Sequence, residues 1–323
     1  MAYHPEIMRE VRERYRDTVR IFNEKEESKK KRLLERSPRL QETAAELDHL
    51  SLRMARAALM GLPGEIPKIR EQAEDIHKKQ EEILADMGAA RDSLRPHYMC
   101  PRCEDSGSTG TGDCECLLSL YREAMLKKYR LYLGDASFET VNLDLYSRSY
   151  GPNGGSPRIQ IEYVTDICRR YAQEFTEGQE GGLYFHGNCG VGKSFFAAAV
   201  ARRVIERGFY VHCISAIELF SIYERSRFGR WEDVERAMLD ACFDADLLFV
   251  DDLGSEVASA QNAPFLARLL NERLNSRKGT LLVSQCTTEE LGRRYSPQVR
   301  SRIVGSMTDM YIFGNDLRSG RTE

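Results

Sequence analysis

The chain has 323 residues, 41% hydrophobic and 30% charged, which suits about two packed domains and excludes wholesale disorder. Its 47 Lys/Arg against 50 Asp/Glu give a net charge of -3, which excludes a generally basic nucleic-acid binder and leaves only a local basic patch open. No run approaches the ~18 apolar residues of a membrane span. The N-terminus is charged from Glu6 and lacks the apolar stretch of a secretion signal. Nine cysteines, an odd number in a long chain, suit a reducing compartment. The expectation is a cytoplasmic protein with no membrane partner.

The first 96 residues hold 20 Lys/Arg and 19 Asp/Glu, so their apolar positions stand out. Ile7, Val11, Tyr15, Val19 and Phe22 recur at helical spacing and predict a first helix. Ser37-Pro38 reads as an N-cap followed by Pro at the first helical position, opening a second helix that runs to near Met60. Gly61, Pro63, Gly64 and Pro67 interrupt it. A third helix, Lys68 to Met87, carries Ile69, Ala73, Ile76, Ile83 and Leu84. Such charged amphipathic helices suit either a partner-binding arm or a solvated bundle packed on the rest, and charge does not decide between them.

Cys100, Cys103, Cys114 and Cys116 follow at spacing C-x₂-C-x₁₀-C-x-C, within 17 residues. Four thiolates at that spacing can close a tetrahedral Zn²⁺ site, structural because no coordination position stays open. The second half is an unusual C-x-C, and His97 offers a substitute ligand. A redox pair in the first C-x₂-C is disfavoured, because no thioredoxin-like βαβ pattern surrounds it. A helix near Leu117 to Leu131 and a Gly/Pro-rich loop, Tyr150 to Pro157, come next.

From Leu183 onward short apolar strands alternate with helices: Leu183 to His186, Phe209 to Ile214, Leu247 to Asp251, Leu281 to Gln285 and Met310 to Phe313. That alternation predicts a mostly parallel α/β sheet covered on both faces. Between the first strand and the helix-forming run Phe195 to Arg207 lies Gly187-Asn188-Cys189-Gly190-Val191-Gly192-Lys193-Ser194, a G-x-x-x-x-G-K-[ST] phosphate loop in its proper context. Its glycines let backbone N–H groups converge on phosphate at a helix N-terminus. Lys193 is expected to reach the β- and γ-phosphates of ATP, and Ser194 to ligate Mg²⁺. The strand Leu247 to Val250 ends in Asp251-Asp252, 58 residues beyond Lys193. Asp251 is expected to hold Mg²⁺ through water, and Asp252 to polarise the attacking water. Asp251-Asp252-Leu253-Gly254 also fits the D-x-x-G of GTP-binding proteins, but no Asn-Lys or Thr-Lys pair exists for a guanine-reading element. A small-molecule kinase is harder to exclude from the phosphate loop alone. Cys168, Cys189, Cys213, Cys242 and Cys286 lack ligand spacing and read mostly as small core residues, as Trp231 reads as a packing residue. Modification of Cys189, inside the phosphate loop, would block nucleotide binding, but a buried and inert thiol is the expectation there.

With these residues placed, the chain resembles the helicase-loader group of AAA+ ATPases, the DnaC/DnaI-like proteins, with the IstB-like transposition ATPases as close relatives. The resemblance runs from about Tyr98 to Arg318. It rests on the four-cysteine segment, the phosphate loop, VDDLGSE, SRIVG and the final GNDLR. It implies a P-loop AAA+ parallel sheet flanked by helices, preceded by a zinc knuckle and an α-helical N-terminal region. Residues 1–96 would then be the helical partner-binding region, 97–118 the four-cysteine zinc knuckle and 119–323 the AAA+ ATPase domain. It further implies that Ser284-Gln285 ends the strand inserted between the phosphate-loop strand and the acidic strand, with Gln285 touching the γ-phosphate or the water. The group usually has Thr-Asn there. Arg302 matches the arginine finger that reaches a neighbouring subunit's nucleotide, with Arg300 as fallback. Arg318 matches a sensor-2-like arginine acting in cis. Five residues follow Arg318, so no C-terminal helical lid is expected.

The function implied is an ATPase that uses an ATP switch to load a replicative helicase, contacting single-stranded DNA and self-associating through Arg302. An IstB-like transposition accessory ATPase and a weakly hydrolysing ATP-binding adaptor are the alternatives.

Overall fold

The computed structural model describes residues 3–149, 155–230, 232–257 and 259–318. Trp231 and most of the loop predicted at Tyr150 to Pro157 lie outside the described residues. The chain divides into two compact units, one of Arg12–Leu117 and one of Met1–Val11 with Leu118–Glu323.

Helix α1 runs Pro5–Glu35 and passes from one unit into the other. Ile7, Val11 and Tyr15 of its predicted stripe are buried, and Val19 and Phe22 partly so. Helix α2 (Pro38–Leu59) starts where the sequence indicates: the Ser37 side chain accepts from the Leu40 N–H, and Pro38 occupies the first turn. Helix α3 (Ile66–Asp86) packs on α2 through Leu50, Ala57, Ile69 and Ile76, with Leu47, Met54, Ile66 and Ala73 at the margin. The Gln80 amide donates to the Thr43 hydroxyl at 3.2 Å in the same interface. This core is thin, and charged faces surround it.

Helix α4 is Glu115–Lys128, so Cys116 lies in its first turn, and the short α5 (Arg130–Leu133) follows. Helix α6 is Pro157–Glu174. Then strands β1 (Gly182–His186), β2 (Val211–Ser215), β3 (Leu247–Leu253), β4 (Gly279–Ser284) and β5 (Met307–Tyr311) form one sheet. Helix α7 (Lys193–Glu206) joins β1 to β2, and α8 (Ala216–Arg227) and α9 (Asp233–Asp244) join β2 to β3. Helix α10 (Asn262–Asn275) joins β3 to β4, and α11 (Thr288–Arg294) and α12 (Pro297–Ser306) join β4 to β5.

All strand pairs are parallel and the order is β2-β3-β4-β1-β5, so β4 is inserted between the phosphate-loop strand and the acidic strand. This is the AAA+-like α/β sheet that the resemblance implies. Every residue of β1 and β4 is buried, as expected for strands covered on both faces. One face packs Ile214, Leu248, Val250 and Leu282 against Leu219, Leu266, Leu269, Val299 and Ile303 of the helices.

The last strand departs from the sequence reading. It begins at Met307, directly after α12, three residues before the predicted Met310. As an edge strand beside β1 it buries only Met310, so Thr308 and Asp309 hide it from an apolar-run criterion.

Arg273 locks the beginnings of the inner strands β3 and β4. It is 1% exposed, and its guanidinium donates to the Thr280 hydroxyl (3.0 Å) and to the carbonyls of Cys242 (2.9 Å), Ala245 (3.0 Å) and Gly279. Burial pushes its pKa down to about 10, which leaves it charged at neutral pH.

Candidate functional site: a phosphate loop and a cysteine cluster

The phosphate loop leaves β1 at Gly187 and enters α7 at Lys193. The fold dictates all three of its glycines, as Gly187 and Gly192 illustrate. Gly187 has φ 135°, and a Cβ there would stand 1.9 Å from the Ile312 carbonyl oxygen. Gly192 has φ 101°, and a Cβ there would stand 2.6 Å from the Tyr146 hydroxyl. That hydroxyl donates to the Val191 carbonyl at 3.1 Å and pins the loop from outside. The Leu317 N–H donates to the Gly190 carbonyl at 3.0 Å, which seats the GNDLR segment on the same loop.

Lys193 is 7% exposed, and its ammonium donates to the carbonyls of Gly187 (2.9 Å) and Asn188 (2.5 Å). Burial lowers its pKa, against the pull of Cys189, Asp252 and Asp251. Ser194 donates to an Asp251 carboxylate oxygen at 2.8 Å, joining the two residues assigned to Mg²⁺. Burial raises the Asp251 pKa, and the bonds from Ser194 and the Asp252 N–H work against that rise.

The acidic strand carries an irregularity the sequence did not disclose. Val250 pairs with Leu282 and Leu253 with Ser284, so Asp251-Asp252 together oppose the single residue Val283. That extra residue is a bulge, and it places Asp252 at φ 55°. Asp tolerates this left-handed backbone better than most side chains. The bulge re-aims Asp252 off the sheet register, and both aspartates line one cavity with Lys193. Ser284 holds the bulge: its buried hydroxyl donates to the Leu253 carbonyl at 2.5 Å and accepts from the Cys286 N–H at 3.0 Å. Of the Ser284-Gln285 pair, Gln285 lines the cavity.

That cavity measures about 1180 Å³. Cys189, Gly190, Gly192, Lys193, Ser194, Asp251, Asp252, Gln285 and Arg318 share its wall with Thr140 to Asn142 and Tyr146, which sequence reasoning missed. Cys189 is exposed, which corrects the expectation of a buried thiol: the loop turns its side chain away from the core. Arg302 is exposed on α12 and is not among the lining residues. Arg300 is tied to Glu289 at 2.9 Å. Glu256 was also given no role by the sequence. Its buried carboxylate accepts from the Gly254 N–H (2.9 Å), Arg294 (3.2 Å) and the Tyr295 hydroxyl (2.6 Å), so the turn after Asp252 is fastened to the end of α11, next to the helix that bears Arg302.

The second centre lies in the other unit. The sulfurs of Cys100, Cys103, Cys114 and Cys116 all stand within 4.8 Å of one another. Cys100 and Cys114 are 3.9 Å apart, and Cys103 and Cys116 3.6 Å. A tetrahedron of ~2.3 Å Zn–S bonds has sulfur–sulfur edges of about 3.8 Å, so this donor set fits Zn²⁺. The first knuckle is shaped by Asp105, whose carboxylate accepts from the N–H groups of Cys100 (2.7 Å) and Met99 (3.0 Å). The unusual C-x-C has a local cause: Cys114 directly precedes α4, and Cys116 sits in its first turn. Exposed helix N–H groups there favour thiolate. Burial pushes the Cys116 thiol up, and a second negative charge 3.6 Å from Cys103 adds to that. Against burial, hydrogen bonds from Tyr15 and the Gly107 N–H draw Cys103 down. A divalent cation would relieve that mutual repulsion. His97 stands apart, near Glu26 and Asp92.

A phosphate loop opening a helix, an acidic strand ending in a bulge, and the inserted strand between them define an AAA+-like ATP-binding domain. The comparisons agree: residues 169–300 match the family described as IstB-like ATP binding protein. The replicative helicase loader DnaC of Escherichia coli strain K12 is 25% identical over 154 residues, 48% of this chain and 62% of that protein. The replicative helicase loader DnaI of Bacillus subtilis strain 168 is 24% identical over 137 residues, 42% of each chain. A crystal structure of DnaI superposes with TM-score 0.46 and 23% identity, over 58% of this chain and 93% of that one. The crystal structure of the DnaC helicase loader gives 0.46 and 20%, over 57% and 99%. The chain therefore carries an IstB-like ATP-binding domain with distant homology to DnaC and DnaI helicase loaders over about half its length. It spans less than two thirds of the curated relatives it matches. Among the described residues no helix is long and apolar enough to cross a membrane.

Proposed function

We propose that the protein is an ATPase of DNA replication that uses ATP binding and hydrolysis to load a replicative helicase onto DNA. The observation that carries this reading is the meeting of Lys193, Ser194, Asp251, Asp252, Gln285 and Arg318 on one cavity, in a chain with loader homology.

In this reading Lys193 leaves the carbonyls of Gly187 and Asn188 for the β- and γ-phosphates. Ser194 and Asp251 would hold Mg²⁺, whose charge would offset that of the phosphates. Asp252 polarises the attacking water and Gln285 orients it. Arg318 contacts the nucleotide in cis. Arg302 reaches a neighbouring subunit's nucleotide, where its fork meets transition-state charge. Its exposure, and its place outside its own cavity wall, support action in trans. The cysteines hold a structural Zn²⁺ that orders the region between the helical arm, residues 1–96, and the ATPase domain. The arm grips the helicase, and single-stranded DNA is contacted by the ATPase domain.

The test is a pull-down with the cognate helicase, with turnover measured in parallel with and without single-stranded DNA. We expect ATP-sensitive capture, and a loss of turnover of at least ~10²-fold in Lys193→Ala. Folded helicase that never associates would sink the loading role. Turnover at the Lys193→Ala level in the wild type would favour the adaptor, a reading that Gln285 in place of Asn motivates. The family match over residues 169–300 favours the third reading, an accessory ATPase of transposition. A transposase gene beside this one, with capture of that transposase, would establish it.

A further inference from the structure

Tyr15 is a residue of helix α1, yet its hydroxyl stands 3.4 Å from the Cys116 sulfur and 3.7 Å from the Cys103 sulfur. It is 6% exposed and lies 88 residues from Cys103 in sequence. The fold makes room for it. Gly107 has φ 73°, and a Cβ at that position would come within 3.3 Å of the tyrosine ring. The approach of this hydroxyl to two sulfurs therefore depends on a side chain the knuckle leaves out.

In the free thiols either partner of such a bond can donate. A metal-bound thiolate has no proton, so toward a loaded site the phenol must be the donor. Four thiolates around one Zn²⁺ leave an excess of two negative charges on the sulfurs. Outer hydrogen bonds disperse such charge and hold the ligands in place. The other links from α1 to this segment are weaker. Arg12 pairs with Asp113 at 3.0 Å and Glu26 with His97 at 3.7 Å, with Arg12 half-exposed and His97 over a third exposed. Solvent screens such exposed pairs, so they hold the helix only weakly. The buried anchor is Tyr15.

We propose that Tyr15 is an outer-sphere member of the four-cysteine site, a positioning residue that couples zinc occupancy to the seating of α1 residues 12–35 on the knuckle. This rests on the zinc reading above. By linkage the coupling runs both ways: metal holds the helix, and the seated helix slows loss of the metal. The arm that meets a partner is thereby held in one arrangement only while the site is loaded.

The experiment uses the full chain and Tyr15→Phe, which keeps the ring and removes the hydroxyl. Zinc content of the wild type is measured first, and a wild type without zinc overturns the metal reading and this proposal with it. In zinc-loaded protein, Tyr15→Phe should bind the metal ~10- to 100-fold more weakly in chelator competition. Its cobalt-substituted form should shift the sulfur-to-metal charge-transfer band, a change that lost packing alone would not produce. Amide exchange over residues 12–35 should rise in the loaded variant to the level of metal-stripped wild type, and stripping the variant should add little. Unchanged zinc affinity with an unchanged cobalt spectrum would overturn the proposal and leave the zinc site standing. Equal loosening of α1 by the substitution with and without metal would likewise assign Tyr15 to packing.

Discussion

The sheet behind Lys193 and the knuckle behind Cys103 fix their functional atoms by different means. In the sheet, fully buried strands set the backbone, and loops at their ends carry the chemistry. Burying each large apolar side chain there contributes roughly 1.5–3 kcal/mol, so the scaffold holds without any ligand. The unit of residues 12–117 has a narrow apolar core between α2 and α3, and its cysteine segment is turns, one isolated bridge and a helix start. There four sulfurs stand close enough for one metal ion to crosslink them where an apolar core is thin. On the zinc reading, a ligand would complete the first region and build the second.

Metal removal should break that comparison most visibly. Structural Zn²⁺ contributes on the order of 10 kcal/mol to small metal-dependent folds. We expect chelation to abolish protection of the amides of residues 97–117 while β1, β3 and β4 keep theirs, read by hydrogen exchange. Loss of protection in the sheet as well would show that the two regions do not differ as argued.

Arg273→Met probes the sheet in the opposite sense. It removes the guanidinium donor from the carbonyls of Cys242, Ala245 and Gly279. We expect a loss on the order of 3 kcal/mol in urea unfolding of the sheet unit, with zinc retention unchanged.

How far the two regions could be read from sequence follows the same division. Gly187, Gly192 and Lys193 were legible because phosphate binding constrains residue type at fixed spacing. The cysteines stood out because tetrahedral sulfur ligation would do the same, and their sulfurs do converge. The bulge at Asp251-Asp252 was not, since strand register depends on the partner strand. Nor was β5, whose edge position removes the apolar run. Tyr15 was read correctly as part of a buried stripe, but periodicity reports the burial of a ring and is silent about its hydroxyl. Tyr146 and Glu256 were missed because bonds that fix them join segments about 40 residues apart in sequence.

A smaller effect separates the units by pH. His212 lies in β2, 2% exposed, with its ring bonded to the Tyr129 hydroxyl at 2.8 Å. Burial holds its pKa down to about 3. A folded-state value below the unfolded ~6.5 means the unfolded chain binds the proton more readily. The sheet unit should therefore hold its stability above pH ~6.5 and lose it as pH falls toward 3, by up to ~1.4 kcal/mol per pH unit from this group. His212→Gln should flatten that slope by about one proton in urea midpoints measured from pH 7 to pH 5. An unchanged slope would mean that His212 takes up its proton as readily in the folded chain as in the unfolded one.

The smallest expected effect lies in the helical unit and tests whether its local signals matter more than those of the sheet. Ser37 caps α2 by accepting from the Leu40 N–H at 3.4 Å, a long bond, with Pro38 fixing the first turn. Removing an N-cap hydroxyl costs about 1 kcal/mol, and less when the bond is stretched. In the sheet such a loss would vanish beneath the buried core. In α2, which buries Leu40, Thr43, Leu50 and Ala57 along 22 residues, it is a sizeable fraction of what holds the helix. Ser37→Ala should raise exchange several-fold in the first turns of α2 and leave α7 untouched. Exchange that rises equally in both helices would mean that the helical unit opens only with the whole molecule. The arm would then be as rigid as the motor, and a ligand-built region would no longer describe it.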